Sequence, residues 1–140
     1  MHHEVVAALI VRSGKILLGR RAAARQFYPD VWDLFGGHVE PGEAHEQTLA
    51  REIQEELGIT PSEWAFLETL SLLAPAPDPA EADEPWTVHL YRVTAWTGTP
   101  ANRQPEEHSL IAWFSLREAA GLPLADPIYP FLFRRYLLPG

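Results

Sequence analysis

Three glutamates in the middle of the chain share one face of a predicted helix. Glu52, Glu55 and Glu56 stand at positions i, i+3 and i+4, a spacing that places their Cβ atoms about 5–6 Å apart. Hard cations such as Mg²⁺ and Mn²⁺ prefer carboxylate oxygens and complete their coordination shells with water and phosphate oxygens. The spacing therefore fits a divalent-metal site for phosphate chemistry, although a solvated, glutamate-rich helix face has the same pattern.

The residues around this helix favour the metal site over the solvated face. Gly36-Gly37 allows the backbone to approach an ion or a phosphate closely. Glu43 follows the turn at Pro41-Gly42 and places a carboxylate at the predicted helix start, where the helix dipole favours negative charge. Arg51 stands four residues before Glu55 and is expected to pair with it or with Glu43, which would hold a carboxylate in place.

The elements that must position these residues follow from hydrophobic spacing. Apolar residues at helical intervals predict a helix over Glu43–Leu57 that ends at Gly58 as a left-handed cap. Two segments rich in β-branched and apolar residues, Glu4–Arg12 and Lys15–Gly19, flank Ser13-Gly14 and predict a hairpin. Together with the later elements, this pattern predicts a mixed α/β or α+β fold.

The later elements are shorter or are separated by loops. Predicted loops cover Arg20–Asp30 and the proline-rich, acidic segment Ala74–Pro85. Tryptophans at 64, 96 and 113 are predicted to lie in the core. The predicted strands are Val31–Phe35 (stopped by Gly36-Gly37), Trp64–Leu73, Trp86–Trp96 and Ser109–Ser115, and the predicted helices are Leu116–Ala120, with Ser115 and Glu118 as a capping box, and Pro127–Leu138.

Length and composition narrow the class of protein. The chain has 140 residues, which predicts a single domain over residues 1–140, and it lacks cysteine, which excludes disulfides and thiol catalysis. Its net charge of −8 disfavours nucleic acid as a bulk partner. No apolar run reaches membrane-spanning length and no signal peptide is recognisable, so no membrane partner and a cytoplasmic location are expected.

The segment from Gly37 to Ile59 resembles the Nudix box. The resemblance rests on the following series: Gly37, five residues, Glu43, seven residues, Arg51-Glu52-Ile53, one residue, Glu55-Glu56, one residue, Gly58-Ile59. Every fixed position and both spacers agree with the family pattern. The preceding hairpin and the following strands are also similar to the Nudix domain. The resemblance implies an α/β/α sandwich with a mixed β-sheet, in which the box forms a loop–helix–loop.

The resemblance also implies an activity and assigns roles in it. The activity is hydrolysis of the pyrophosphate linkage in a nucleoside diphosphate linked to a group X, with Mg²⁺ or Mn²⁺ as cofactor. By resemblance, Glu52, Glu55 and Glu56 are metal ligands and candidate general bases. Gly37, or its neighbour Gly36, is implied to offer a backbone carbonyl to the metal, and Gly36 is also a candidate substrate contact. Glu43 and Arg51 orient the helix ligands for catalysis, and Gly58 ends the box helix.

Outside the box the resemblance is weaker. An acidic residue before the last strand joins the catalytic site in MutT-type members, and Glu107 is the first candidate here, against a solvated pair with Glu106. Arg21, at the end of the second strand, is a candidate phosphate ligand or a surface arginine. Phe27 is a candidate for stacking on a nucleobase, as are Tyr28 and Trp32, although Trp32 fits the core better. His38 and His45 are interpreted as surface residues, because hard oxygen ligands suit the implied metal.

One departure and one insertion bear on the substrate. Many MutT-like enzymes carry proline before the glycine pair, where this chain has Leu34-Phe35. The Ala74–Pro85 segment either borders the pocket or is a tolerated insertion.

The expected substrate is a small nucleotide: a nucleoside di- or triphosphate, standard or oxidised, cleaved to a monophosphate. The alternatives are ADP-ribose or a nucleotide sugar, and a non-catalytic nucleotide-binding module, which the intact box disfavours. A monomer or a homodimer is expected.

Overall fold

A computed structural model describes residues 2–23, 29–76 and 78–137. Within these ranges it contains seven strands and three helices. In chain order they are β1 (His3–Arg12), β2 (Lys15–Arg21), β3 (Trp32–Asp33), β4 (Phe35–His38), α1 (His45–Leu57), β5 (Thr60–Ala74), β6 (Glu84–Thr97), β7 (His108–Ser115), α2 (Leu116–Ala120) and α3 (Tyr129–Leu137). None of the described helices is both long and apolar enough to cross a membrane.

The strands form one mixed sheet with β1 near its centre. The order along the sheet is β3-β2-β1-β6-β5, with β4 also paired to β1 and β7 also paired to β2. β1 and β6 run parallel, whereas β1 pairs with β2 and β4 in antiparallel fashion. The mixed sheet predicted from the resemblance is therefore confirmed.

Alternate residues of β1 face two different helical layers. One cluster of buried residues joins Val6, Ala8 and Ile10 to the apolar face of α1. A second cluster joins Val5, Ala7 and Leu9 to the apolar residues of α2 and α3. This alternation follows from the two-residue period of a strand, and it produces the predicted α/β/α sandwich.

Local backbone chemistry explains the two turns that position the box. Ser13 and Gly14 both have positive φ, 54° and 72°, as a type I′ hairpin turn requires. The box helix ends as predicted at Gly58, whose φ is 73° and whose N–H donates to the Gln54 carbonyl at 2.9 Å. The helix begins two residues later than predicted, at His45.

The prediction that Gly36-Gly37 stops a strand is wrong. These glycines lie inside β4, opposite Ala7 and Val6 of β1. The segment from 31 to 35 instead divides at Leu34 into the ends of two strands. A Cβ at Gly36 would come within 2.0 Å of the Val6 carbonyl oxygen, so the absence of a side chain is what permits this strand pairing.

Other boundaries shift because partners on the sheet extend the strands. β2 continues through Arg21, opposite His108 of β7, where a loop was predicted. β5 and β6 pair up to Ala74 and Glu84, so the loop between them is shorter than expected. The C-terminal helix starts at Tyr129 rather than at residue 127.

The three tryptophans that were predicted to lie in the core differ in their burial. Trp96 is buried and Trp113 packs against the α1-side cluster, but Trp64 is 44% exposed. The core prediction for Trp64 is wrong because β5 lies at an edge of the sheet, and its pairing with β6 is irregular at Glu63. The capping box of α2 is confirmed: Glu118 N–H donates to the Ser115 hydroxyl, and the Glu118 carboxylate accepts from Ser115 N–H.

Candidate active site

The box helix α1 lies against the glycine pair of β4. The Gly36 N–H donates to Oε1 of Glu56 at 3.0 Å. A Cβ at Gly37 would come within 2.3 Å of the Glu52 carboxyl carbon, so glycine alone allows the backbone this close to that carboxylate. The structure therefore brings two of the three predicted helix ligands, together with the Gly37 backbone, into one small volume.

Arg51 links the carboxylates of the box. Its Nε and Nη2 donate to the two carboxylate oxygens of Glu43 at 2.8 and 3.0 Å, and its Nη1 donates to Glu52 at 2.8 Å and to Glu55 at 3.4 Å. The sequence left open whether Arg51 pairs with Glu43 or with Glu55. It contacts both, and the two-point contact with Glu43 is the stronger geometry.

These contacts compensate the negative charge of the Glu43 carboxylate. The hydrogen bond from Arg51 is the largest cause that lowers the pKa of Glu43 to about 2, and the Thr48 hydroxyl and the Glu40 N–H add to it. The same pairing raises the pKa of Arg51 above its ordinary range. Glu43 and Arg51 therefore form an ion pair that holds the Glu52 carboxylate from one side.

Glu56 has the opposite electrostatic setting. Its side chain is only 5% exposed, and burial is the main cause that raises its pKa to about 9. The charges of Glu52, Glu107 and Asp33 raise it further, against the hydrogen bond from Gly36. Burial also raises the pKa of Glu52, opposed by Arg51. Negative charge therefore exceeds nearby positive charge here, which is the setting in which a divalent cation binds favourably.

Glu55 lies on the outer side of this group. Its side chain is 48% exposed, and its contact with Arg51 is an i,i+4 ion pair. The three helix glutamates are thus not equivalent, because Glu52 and Glu56 face β4 while Glu55 faces solvent. The donor set is made of oxygen atoms, and this fits hard divalent cations such as Mg²⁺ and Mn²⁺.

A cleft of about 780 Å³ opens from the buried carboxylates, a size in the range of small-molecule sites. Glu52, Glu56 and Glu107 lie at its acidic end. It continues over the sheet face opposite α1, where Trp86 and the start of α3 contribute to its walls. The cleft therefore joins the box to an aromatic and apolar compartment.

Two predicted residues outside the box also line this cleft. Arg21 reaches Oδ2 of Asp33 with its Nη1 at 3.4 Å. Glu107 is half-buried and its charge raises the pKa of Glu56, whereas Glu106 is exposed. Backbone pairing fixes the Glu107 loop, since Ala22 N–H donates to the Glu107 carbonyl at 2.8 Å. Phe27 and Tyr28 lie outside the described residues.

The structure adds four residues that sequence reasoning missed: Asp33, His108, Asp126 and Tyr129 all line the cleft. The Tyr129 hydroxyl donates to Asp33 Oδ1 at 2.6 Å, and Nε2 of His108 lies 3.7 Å from Glu56 Oε2. Asp33 carried a signal, as a single charge in an otherwise apolar strand. Tyr129 carried none, because its partner lies far away in the sequence.

Structural comparison places this architecture among MutT-type folds. A crystal structure of a MutT NUDIX hydrolase from Burkholderia pseudomallei superposes with a TM-score of 0.82 and 29% identity, over 97% of this chain and 98% of that one. The solution structure of the E. coli ORF135 protein superposes with a TM-score of 0.72 and 34% identity, over 97% and 89% of the two chains. The family model of the NUDIX domain matches residues 1–135. The chain therefore belongs to the Nudix family.

The most informative sequence relatives are Nudix hydrolases. The chain is 36% identical over 129 residues to a CTP pyrophosphohydrolase of Escherichia coli K12, covering 92% of this chain and 87% of that protein. It is 30% identical over 137 residues to the NAD-capped RNA hydrolase NudC of Stutzerimonas stutzeri, but spans only 42% of that protein. A nucleoside triphosphatase NudI of Klebsiella pneumoniae is 51% identical over 57 residues, which are 41% of this chain and 40% of that protein. The protein is accordingly a Nudix pyrophosphohydrolase that acts on phosphorus-containing acid anhydrides, in a family that generally uses divalent metal ions.

Proposed function

We propose that the protein hydrolyses nucleoside triphosphates to a nucleoside monophosphate and pyrophosphate, with Mg²⁺ or Mn²⁺ as cofactor. The observation that carries this proposal is the continuous cleft, which joins the carboxylates of Glu52 and Glu56 to an aromatic compartment. A triphosphate chain fits the acidic end only with cations between the negative charges. The similarity to a CTP pyrophosphohydrolase over most of both chains supports the choice of a triphosphate.

The metal is held in this proposal by carboxylates that the fold has already placed. Glu52 and Glu56, with the Gly37 backbone, would hold the metal, together with Glu55, which lies nearer to solvent. A bound divalent cation lowers the pKa of water and neutralises charge that develops on phosphate oxygens. Arg51 is a positioning residue, because its contacts with Glu43 and Glu52 hold the Glu52 carboxylate against β4.

The proton of the attacking water needs an acceptor near phosphorus. Glu52, Glu55 and Glu107 are the candidates, because each is a carboxylate in or beside the acidic end of the cleft. Glu107 approaches from the loop before β7 rather than from α1. Arg21 is proposed to contact a substrate phosphate from the cleft wall, where its pairing with Asp33 already orients the guanidinium.

The part of the cleft wall just before α3 favours a base with an exocyclic amino group. Asp126 lines the cleft there, and ionised carboxylates accept hydrogen bonds but donate none. An amino group of cytosine or adenine supplies a matching donor, whereas the carbonyl oxygen at the corresponding position of uracil does not. Within the triphosphate class we therefore expect CTP or dCTP to be preferred over UTP.

The test is a hydrolysis screen with Mg²⁺ and with Mn²⁺, using the wild-type protein and Glu56→Gln. The panel contains the standard and oxidised nucleoside triphosphates, nucleoside diphosphates, ADP-ribose and nucleotide sugars, and ³¹P NMR identifies the products. We expect a cytidine triphosphate to lead and to give monophosphate and pyrophosphate. Glu46→Gln, an exposed glutamate on the same helix, is the matched control and should retain activity.

Three outcomes would contradict the proposal. Preferred turnover of ADP-ribose or a nucleotide sugar would replace the substrate class. Release of inorganic phosphate with a nucleoside diphosphate product would show that the bond between the β- and γ-phosphates is cleaved instead. Binding of nucleotides, seen as a raised melting temperature, without turnover of any panel member would favour a non-catalytic module.

A further inference from the structure

Three side chains with metal-binding atoms meet on the α1 side of the sheet. They are Glu4 of β1, His45 at the start of α1 and His89 of β6, and their ligand atoms all lie within 4.8 Å of one another. None of the three belongs to the described lining of the cleft. We propose that this cluster is a second metal site, which takes a borderline cation of the Zn²⁺ or Co²⁺ type and is separate from the metal site of the box.

His89 is held in the orientation that a metal ligand needs. His89 is 8% exposed, with Nδ1 3.1 Å from the Thr69 hydroxyl and Nε2 3.3 Å from Glu4 Oε2. Metal-binding histidines commonly use one ring nitrogen for the metal and the other for an orienting hydrogen bond. Thr69 fills the orienting role here, and this leaves Nε2 directed to the same side as the Glu4 carboxylate.

The Glu4–His89 pair has the spacing of two ligands in a tetrahedral site. With bonds of about 2.0–2.1 Å, two ligand atoms in such a site lie roughly 3.3 Å apart, which matches the 3.3 Å between His89 and Glu4. The His45 ring stacks on the His89 ring with centroids 3.8 Å apart. His45 is half-buried, and one of its ring nitrogens already lies within 4.8 Å of the other two ligand atoms.

The donor set distinguishes this cluster from the box. Two imidazoles and one carboxylate, with an open position for water, are ligands that suit Zn²⁺, whereas the oxygen ligands of the box suit Mg²⁺. An ordinary ion pair between Glu4 and His89, beside a stacked His45, is the competing explanation. The two explanations differ in what added Zn²⁺ does to the protein.

A bound metal would join elements that are distant in sequence. His45 is the first residue of the helix that carries the box, and Glu52 lies seven residues further along, roughly 10 Å along the helix axis. A metal at the cluster would tie the start of α1 to β1 and β6. Because it would bind the folded state and not the unfolded one, it should raise the melting temperature.

Calorimetric titration with Zn²⁺, in the presence of saturating Mg²⁺ and without nucleotide, tests the proposal. We expect one Zn²⁺ per wild-type chain and at least tenfold weaker binding to His45→Gln. His38→Gln is the matched control, since His38 contacts His3 in a separate group that includes Glu84. Glu55→Gln controls for the box, and both controls should bind Zn²⁺ like the wild type.

Other outcomes would overturn the second site. They are no Zn²⁺ binding by the wild type, unchanged binding by His45→Gln, or a loss of binding in His38→Gln or Glu55→Gln. Equal melting temperatures of wild type and His45→Gln without metal would show that the variant folds. Long-range ¹H–¹⁵N NMR supplies an independent readout: Zn²⁺ should shift Nε2 of His89, and Thr69→Val should weaken binding with all three ligands present. No substrate is involved, so the result is independent of the proposed hydrolysis.

Discussion

The two ends of the Nudix box place glutamates in opposite electrostatic settings. Glu43, before the helix, is bound at both oxygens by Arg51, and its pKa falls to about 2. Glu56, near the end of the helix, is buried beside other carboxylates, and its pKa rises to about 9. The first carboxylate is compensated by the protein itself. The second remains uncompensated, as expected of a group that is completed by a cation.

Within one sequence motif, this contrast distinguishes residues that hold the site in place from residues that would take part in the reaction. Glu43 and Arg51 are both charged at neutral pH, so their contact is present whether or not a metal is bound. Glu56 has a backbone N–H from Gly36 on one oxygen and like charges nearby. A metal ion changes the energetics of the second region much more than those of the first.

The largest effect is expected from removing the carboxyl group of Glu56, which a bound cation would hold in its ionised form. Glu56→Gln should reduce kcat by roughly 10²–10⁴-fold, the range typical for the loss of a group that handles charge or protons in the transition state. The amide keeps the size of the side chain, so the fold should persist. Steady-state kinetics at saturating Mg²⁺ provide the measurement, with Glu46→Gln as control. Near-normal kcat would remove Glu56 from the metal site.

A smaller loss of activity is expected when the ion pair between Glu43 and Arg51 is broken. Glu43→Gln breaks the ion pair with Arg51 but removes no metal ligand, so activity should fall by about 10–100-fold, as for groups that orient ligands. Raising the Mg²⁺ concentration should recover part of this loss and none of the loss in Glu56→Gln. Glu40→Gln is the matched control, because Glu40 is exposed and 3.7 Å from Arg51. Equal effects at Glu40 and Glu43 would contradict the comparison.

A variant of Glu107, which lies outside α1, tests whether the group of catalytic carboxylates extends beyond the helix. Glu107→Gln should lower kcat by about tenfold if its carboxylate supports the ligands or the attacking water. Glu106→Gln, one residue earlier and exposed, should be silent. An unchanged kcat for Glu107→Gln would restrict the chemistry to the box and restore the solvated-pair interpretation.

The smallest effect is a difference in the pH dependence of stability without metal. Glu56 keeps its proton in the folded state up to about pH 9 and loses it near pH 4.5 when unfolded, so melting temperature should fall as pH rises between these values. The charge of Glu43 stabilises the fold above pH 4.5, and this contribution should disappear as pH falls towards 2. Melting curves recorded in EDTA should therefore show one decline of the melting temperature as pH rises towards 9 and a second decline as pH falls towards 2.

Two variants test which glutamate causes each of the two pH-dependent declines in melting temperature. Glu56→Gln should flatten the decline towards high pH and leave the acid side unchanged. Glu43→Gln should flatten the acid side alone. If each variant altered the opposite side, the assignment of compensated and uncompensated carboxylates would be reversed.

Much of the fold was predictable from local pattern. The hairpin at Ser13-Gly14, the box helix with its cap at Gly58 and the α2 capping box are confirmed, because each depends on residues within a few positions of one another. The wrong predictions involve distant partners: Gly36-Gly37 joins a strand because β1 lies beside it, and Trp64 is exposed because β5 is an edge. The predicted single domain, oligomeric state, cytoplasmic location and site roles stay predictions.

The sequence by itself determined the family and the chemical types in the box, because the glutamates, the arginine and the glycines lie at fixed helical and turn spacings. It also placed Glu52, Glu55 and Glu56 on one helix face. Only the tertiary structure decided that Glu56 is buried and Glu55 is exposed, since that depends on where β4 lies against α1. It also decided that Asp33 and Tyr129 share the cleft, because residues far apart in sequence become neighbours only through packing of the whole chain.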